Sequence, residues 1–164
     1  MDATNRRETL GLGLLLAASP AMAAAAEGAD DAASAEAALR AFLRSFADCD
    51  LVAMEAAFAP DATSFDALTA GPNAPVPTLT AMKRAPGMPA IMRRVAERMK
   101  QERPGPPYHR PDQIDDLLVQ VIGDMALCTF QFDDPDRIGR RTIALVRRDG
   151  VWRILHLHAS NLQL

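Results

Sequence analysis

Two of the chain's three histidines fall close together near its carboxyl end, and they are the side chains best suited to proton chemistry. In the run Gly150-Val151-Trp152-Arg153-Ile154-Leu155-His156-Leu157-His158-Ala159-Ser160-Asn161, alternation at period two places Trp152, Ile154, His156, His158 and Ser160 on one face of a strand. Val151, Arg153, Leu155, Leu157 and Ala159 then take the other face. Same-side neighbours on a strand lie about 6.5–7 Å apart, so one ligand could touch both imidazoles. A neutral imidazole gives or takes a proton near neutral pH without large tuning. His158, nearer the strand end, is the candidate acid/base, with His156 beside it and Ser160 as an orienting or ligand-binding hydroxyl. The structural alternative ties both rings to backbone or carboxylate groups within the sheet. Trp152 is a candidate wall residue whose indole N–H reaches a polar partner.

Other candidates lie upstream. Asp66 follows a short stretch of strand formers; desolvated by Phe65, such an acid gains a raised pKa and can serve as a base, although an aspartate there also suits a turn cap. Asp61, in Pro-Asp-Ala, fits capping better. Tyr108, in Tyr108-His109-Arg110 after a proline-rich break, is a candidate polar contact at a pocket rim. Met92 belongs to a methionine-bearing helical stripe of the kind that adapts to ligands of varied shape. His-x-His on one strand can chelate a metal, but a stable site needs a third or fourth ligand at fixed spacing, and neither His109 nor the acids supply one. There is no Gly-x-Gly-x-x-Gly, phosphate loop or nucleophile elbow, so no cofactor is called for and serine-hydrolase chemistry is disfavoured.

The elements that must position these residues follow from periodicity and turn signals. Ala35, Leu39, Phe42, Leu43 and Phe46 recur at helical spacing and predict a first helix capped near Ser34. Asp48 or Asp50 can cap a second, carrying Leu51, Met54 and Phe58 and stopped by Pro60. Residues 62–66 read as a short strand, and Gly71–Pro77 as a loop that can serve as a lid or a plain excursion. Met88-Pro89 opens a third helix with Ile91, Met92, Val95, Ala96 and Met99 on one stripe, ended by Pro104-Gly105-Pro106-Pro107. Four strands follow, Ile114–Ile122, Met125–Phe132, Thr142–Val146 and Val151–Ser160, with turns at Gly123-Asp124 and Asp149-Gly150 and an acidic loop over Asp133–Gly139. Helices first and an antiparallel meander after is the order of an α+β domain with helices on one sheet face.

Composition bounds the partners and the compartment. With 164 residues, 49% of them hydrophobic, the chain can bury one proper core. A formal charge of −3 and the lack of a basic run with interleaved aromatics make nucleic acid an unsuitable partner. No stretch reaches the ~18 apolar residues of a stable membrane anchor. Arg6-Arg7, the apolar run Leu10–Ala18 and Ala21-Met22-Ala23 are the parts of a twin-arginine export signal over residues 1–26, although Thr9 departs from the usual motif. The expected organisation is therefore a signal at 1–26, a polar leader at 27–33 and one domain at 34–164, in a periplasmic or secreted protein. An oxidising compartment permits a Cys49–Cys128 bridge without requiring one. Apolar residues on both faces of Ile143-Ala144-Leu145-Val146, with Leu155 and Leu157 opposite the histidines, exceed what three helices can cover. A homodimer through the outer sheet face is expected, with cover from residues 67–87 as the alternative.

The order of elements, with Phe58-Ala59-Pro60-Asp61-Ala62, Phe65-Asp66, Gly123-Asp124-Met125-Ala126, Gly139-Arg140-Arg141-Thr142 and Trp152-Arg153-Ile154 through His158-Ala159-Ser160, resembles the SnoaL-like branch of the nuclear transport factor 2-like superfamily over about residues 34–162. The resemblance implies a cone-shaped, curved antiparallel sheet packed against three N-terminal helices, with an apolar cavity between them, Asp66 near its mouth, and commonly a homodimer. That superfamily holds isomerases, cyclases and dehydratases as well as non-catalytic association domains, so fold alone does not assign activity. The expectation is an exported domain binding a small, largely apolar molecule in its cone. If catalytic, it runs a proton transfer of isomerase, cyclase or dehydratase type, with His158 as acid/base and Asp66 or Tyr108 assisting. The alternatives are a non-catalytic binding or assembly module and, more weakly, a periplasmic metal-binding protein.

Overall fold

A computed structural model describes residues 20–65, 87–108, 114–134 and 137–164. Among the described residues, three helices, α1 (Pro20–Ala47), α2 (Leu51–Ala56) and α3 (Ala90–Glu102), accompany five strands: β1 (Phe58–Phe65), β2 (Asp115–Ile122), β3 (Met125–Asp134), β4 (Arg137–Arg148) and β5 (Val151–Gln163). The strands form one sheet in the order β1-β5-β4-β3-β2. The architecture is α+β, as expected, but the sheet is mixed, because β1 runs parallel to β5.

The first helix begins well before Ser34. Residues 20–33 are mostly alanine, the strongest helix former, and Pro20 is compatible with a first turn. Ser34 therefore lies inside α1, its Oγ donating to the Asp31 carbonyl and accepting the Trp152 indole N–H. The stretch expected as a polar leader is thus helical and joined to the sheet through Asp31. The stripe itself is as expected, with Ala35, Leu39, Phe42 and Leu43 buried. Cys49 makes the turn at φ 51°, and the Asp50 carboxylate caps α2 by accepting from the amides of Val52 and Ala53, both at 3.1 Å.

The second helix ends sooner than its sequence suggests. Phe58 opens β1 and Pro60 lies within that strand. An edge strand with an irregular register between Phe58 and Thr63 tolerates the missing amide. The acidic stretch expected as a loop is mostly ladder, since β3 and β4 pair through Phe132 with Gly139 and Asp134 with Arg137. Asp149-Gly150 turns the last hairpin, both residues having positive φ.

One irregularity decides how the sheet presents its side chains. Leu145 pairs with Ile154, but Ala144 pairs with His156, so β5 spends two residues where β4 spends one. Leu155 is the extra residue of a β-bulge, and past it the alternation changes phase. Before the bulge Trp152 and Ile154 face the helices; after it Leu157 and Ala159 do. The main core joins these to Ala126, Cys128, Phe130, Ile143 and Leu145 beneath Leu39, Phe42 and Leu43. A smaller cluster of Cys49, Met54, Ala96 and Met99 fastens α3 to the α1–α2 corner.

Candidate functional site

The bulge separates His156, His158 and Ser160 from Trp152 and Ile154. Their cross-strand partners are Ala144, Thr142 and Arg140, which alternate with the buried Ile143 and Leu145 and so face away from the helices. His158 is exposed and His156 half-buried. The expectation that both imidazoles look into a hollow roofed by the helices is corrected here, because one inserted residue turns every later side chain over. Leu157 likewise belongs to the helix-packed core, and not to the uncovered face.

Among the described residues, that uncovered face is a grid of side chains. One row runs Ile122, Met125, Val146, Arg153; the next Gln120, Leu127, Ala144, His156, Thr63; the third Leu118, Thr129, Thr142, His158, Phe65. The Thr63 hydroxyl and His156 Nδ1 are 2.8 Å apart, and the Phe65 and His158 rings lie 5.2 Å between centroids. Large apolar groups stand open on this face: Ile122 is 83% exposed, Leu118 53% and Leu127 40%.

The helix-facing side differs from one end to the other. Near the Asp149-Gly150 hairpin it is filled and tied. The Arg147 guanidinium lies 4.9 Å from the Trp152 ring, donates to both oxygens of Asp31 on α1, and donates through Nε to Asp124 at 3.0 Å. Trp152 is buried, and its indole N–H meets Ser34 at 2.9 Å. The predicted polar partner is there, and it fixes α1 to the sheet.

The far end of the same side is less covered. Phe132, Arg141, Ala159 and the neighbouring Ile114 are half-buried, while Phe130 beneath is buried. Phe130 and Phe132 meet edge to face at 5.5 Å, and the Arg141 guanidinium stands 5.4 Å from the Phe132 ring centroid. Arg141 Nη1 donates to the carbonyls of Arg140 and Ser160 at 2.9 and 3.1 Å and to Asn161 Oδ1 at 3.4 Å. Gly139 makes room for it, since a Cβ there would meet Nη1 at 3.2 Å and Nη2 at 3.3 Å. This corner is an aromatic wall with a cation lying along it.

The remaining predicted residues scatter. Met92 is half-buried and packs against both clusters, so it joins α3 to the main core. Tyr108 docks on the smaller cluster, its amide donating to the Ala47 carbonyl at 2.6 Å, and its ring lies so close over Gly105 that a Cβ would approach within 2.7 Å. It has a packing role there, away from β5. Asp61 pairs bidentately with Arg148 at 2.7 and 2.9 Å and is no cap; that bond holds its carboxyl below the usual range. Asp66, His109 and the Gly71–Pro77 loop lie outside the described residues. Cys49 and Cys128 are both free, buried in separate clusters. Burial pushes the Cys128 thiol up to about 11 and raises that of Cys49, so neither is a nucleophile at neutral pH. Among the described residues no group of three or more metal-ligating side chains gathers, and no helix is long and apolar enough to cross a membrane.

The family model of the SnoaL-like domain matches residues 35–163, from the buried Ala35 of α1 to the end of β5. The chain belongs to the SnoaL-like domain family. A comparison with curated proteins gives no match. Among solved structures, this SnoaL-like domain is similar to a cystatin-like fold protein from Burkholderia xenovorans, at 20% identity and TM-score 0.57 over 82% of this chain and 94% of that one. It is also similar to a nuclear transport factor 2-like protein of unknown function from Pseudomonas putida, at 20% identity and TM-score 0.54 over 83% and 87%. The CamKII hub homology domain of Chlamydomonas reinhardtii superposes at TM-score 0.51 with 16% identity, over 81% and 99%. At such identities the likeness is one of fold.

Sequence reasoning missed the corner of Phe132, Gly139, Arg141 and Asn161 in the SnoaL-like domain, although its signal was available. Arg141, Ile143, Leu145 and Arg147 alternate on one face of β4, and Phe130 with Phe132 does the same on β3.

Proposed function

We propose that this SnoaL-like domain is exported and binds a small, largely apolar molecule between its sheet and helices, at the corner where Phe132, Arg141, Ile114 and Ala159 remain half-buried. The observation that carries this reading is the contrast along one side of the sheet: filled at Trp152, incompletely covered at Phe132, with Met88 and Met92 half-buried against the same core. Ligand sites are mostly apolar with a few placed polar groups, and Arg141 with Asn161 supplies such groups. Export rests on the twin-arginine pattern and the apolar run of residues 1–26. The domain pairs as a homodimer through the uncovered face.

The proton-transfer reading, of isomerase, cyclase or dehydratase type with His158 as acid/base and Asp66 assisting, has less support, because His158 is exposed on the face opposite the apolar wall. A binding role without turnover accords better with that placement. Titration with the apolar fluorophore 1-anilinonaphthalene-8-sulfonate tests it. Wild type is expected to saturate at a defined stoichiometry, Phe132→Asp to lose at least tenfold in affinity, and His158→Ala to bind unchanged. Equal binding by wild type and Phe132→Asp overturns the assignment.

A further inference from the structure

We infer that the occupant of the Phe132 corner is an amphipathic acid, an apolar molecule whose carboxylate is received by the Arg141 guanidinium. The inference rests on the binding reading above and adds the charge that the ligand must carry. Two arginines bracket the helix-facing side of β4, and they are held differently. Arg147 donates to two carboxylates, Asp31 and Asp124. At Arg141 the acceptors of Nη1 are neutral oxygens, the carbonyls of Arg140 and Ser160 and Oδ1 of Asn161. Neutral acceptors fix where a guanidinium lies without changing its charge, which persists at any pH the fold survives.

The side chains around it step down from a tall wall to a low floor. Across the strands one row runs Phe130, Arg141, Ala159, and the next Phe132, Gly139, Asn161. Phe130 and Phe132 stand edge to face on β3, while Ala159 and Gly139 are the smallest residues of the two rows. The guanidinium lies between, 5.4 Å from the Phe132 ring centroid. A Cβ at position 139 would crowd both of its terminal nitrogens, at 3.2 and 3.3 Å, so glycine is what permits the pose.

A molecule that fills this corner must take water away from a cation that cannot neutralise itself. Hydrocarbon alone does so at a loss, because a half-buried charge stripped of water needs a polar replacement. A carboxylate supplies one, since its two oxygens match the planar N–H fork of arginine, and the attraction is screened less here than on an open surface. The hydrocarbon of the acid then rests over Ala159 and against Phe132 and Ile114, which are half-buried. Arg141 thereby becomes the residue that selects acids over alcohols of the same length.

Displacement of the uncharged fluorophore N-phenyl-1-naphthylamine from the purified full chain at pH 7.5, by decanoate and by 1-decanol, reads the preference. Wild type is expected to bind decanoate about 10- to 100-fold more tightly than 1-decanol, the range of a hydrogen bond to a charged group. Arg141→Met should bind the two equally, through loss of decanoate affinity alone. Arg141→Gln should do the same, and it keeps a side-chain N–H for the Ser160 carbonyl should the methionine variant fail to fold. A wild type that takes up the fluorophore but does not favour decanoate overturns the inference and leaves the apolar-ligand reading standing. A preference for decanoate that survives in either folded variant also overturns it, because the selecting cation then lies elsewhere. A wild type that takes up no fluorophore overturns both together.

Discussion

The two faces of β5 carry the same kinds of residue in sequence and opposite fates in the fold. On the helix side Ile154 and Leu157 are 1% and 5% exposed, and Trp152 is buried and held from both ends. On the other side His158 is open and Leu127, two strands away, is 40% exposed. The difference comes from a single surplus residue, Leu155, which lets one strand supply apolar groups to the core in two different phases. Identity of the side chain did not decide its exposure here; its count from the bulge did.

Deletions break this comparison most sharply. Removing Leu157 draws His158 opposite Ile143 and places an imidazole in the core, an expected loss of more than about 4 kcal/mol, whereas removing Leu155 takes away only the bulge residue and preserves which side each later residue faces. Urea denaturation should show the first variant unfolded or nearly so and the second losing less than half as much. Equal damage from both deletions would place the bulge elsewhere.

Truncations on the two faces come next. Leu145→Ala, at a residue 1% exposed in the main core, should cost about 2–5 kcal/mol, and Leu127→Ala on the uncovered face less than about 1 kcal/mol when measured on monomer. Thermal melts at low protein concentration separate them. A costly Leu127→Ala in the monomer means that this face is covered within one chain.

The smallest effect lies at the sheet edge. Arg148 holds the Asp61 carboxyl below its usual range, so the pair stabilises the fold above the unfolded aspartate range near pH 4 and is lost as pH falls below it. Asp61→Asn should lower the melting temperature slightly at pH 7 and not at all near pH 2, because the exposed pair is screened by water. A difference that persists at pH 2 would mean that the ion pair is not its source.

Much of this was legible beforehand, and the misses share a cause. The first-helix stripe, the Asp50 cap and the Asp149-Gly150 hairpin rest on local chemistry that a few neighbouring residues decide. Ser34 misled because a good capping residue inside an alanine-rich stretch is also a good partner for a distant indole. Pro60 misled because a helix-breaking residue serves equally in an edge strand. The reversed histidines had a visible trace in Ile154-Leu155, two apolar residues in succession where alternation should hold, which is how an inserted residue reads in sequence.

By itself the sequence determined the class of fold, the membership in the SnoaL-like family and the set of apolar residues available to a core, because hydrophobic period and turn chemistry act over a few residues at a time. Only the tertiary structure decided which wall the histidines stand on, that Trp152 ties α1 to the sheet, and that Arg141 lies along Phe132 over Gly139. Those depend on register between strands far apart in the chain, and register is set by packing the whole sheet against its helices.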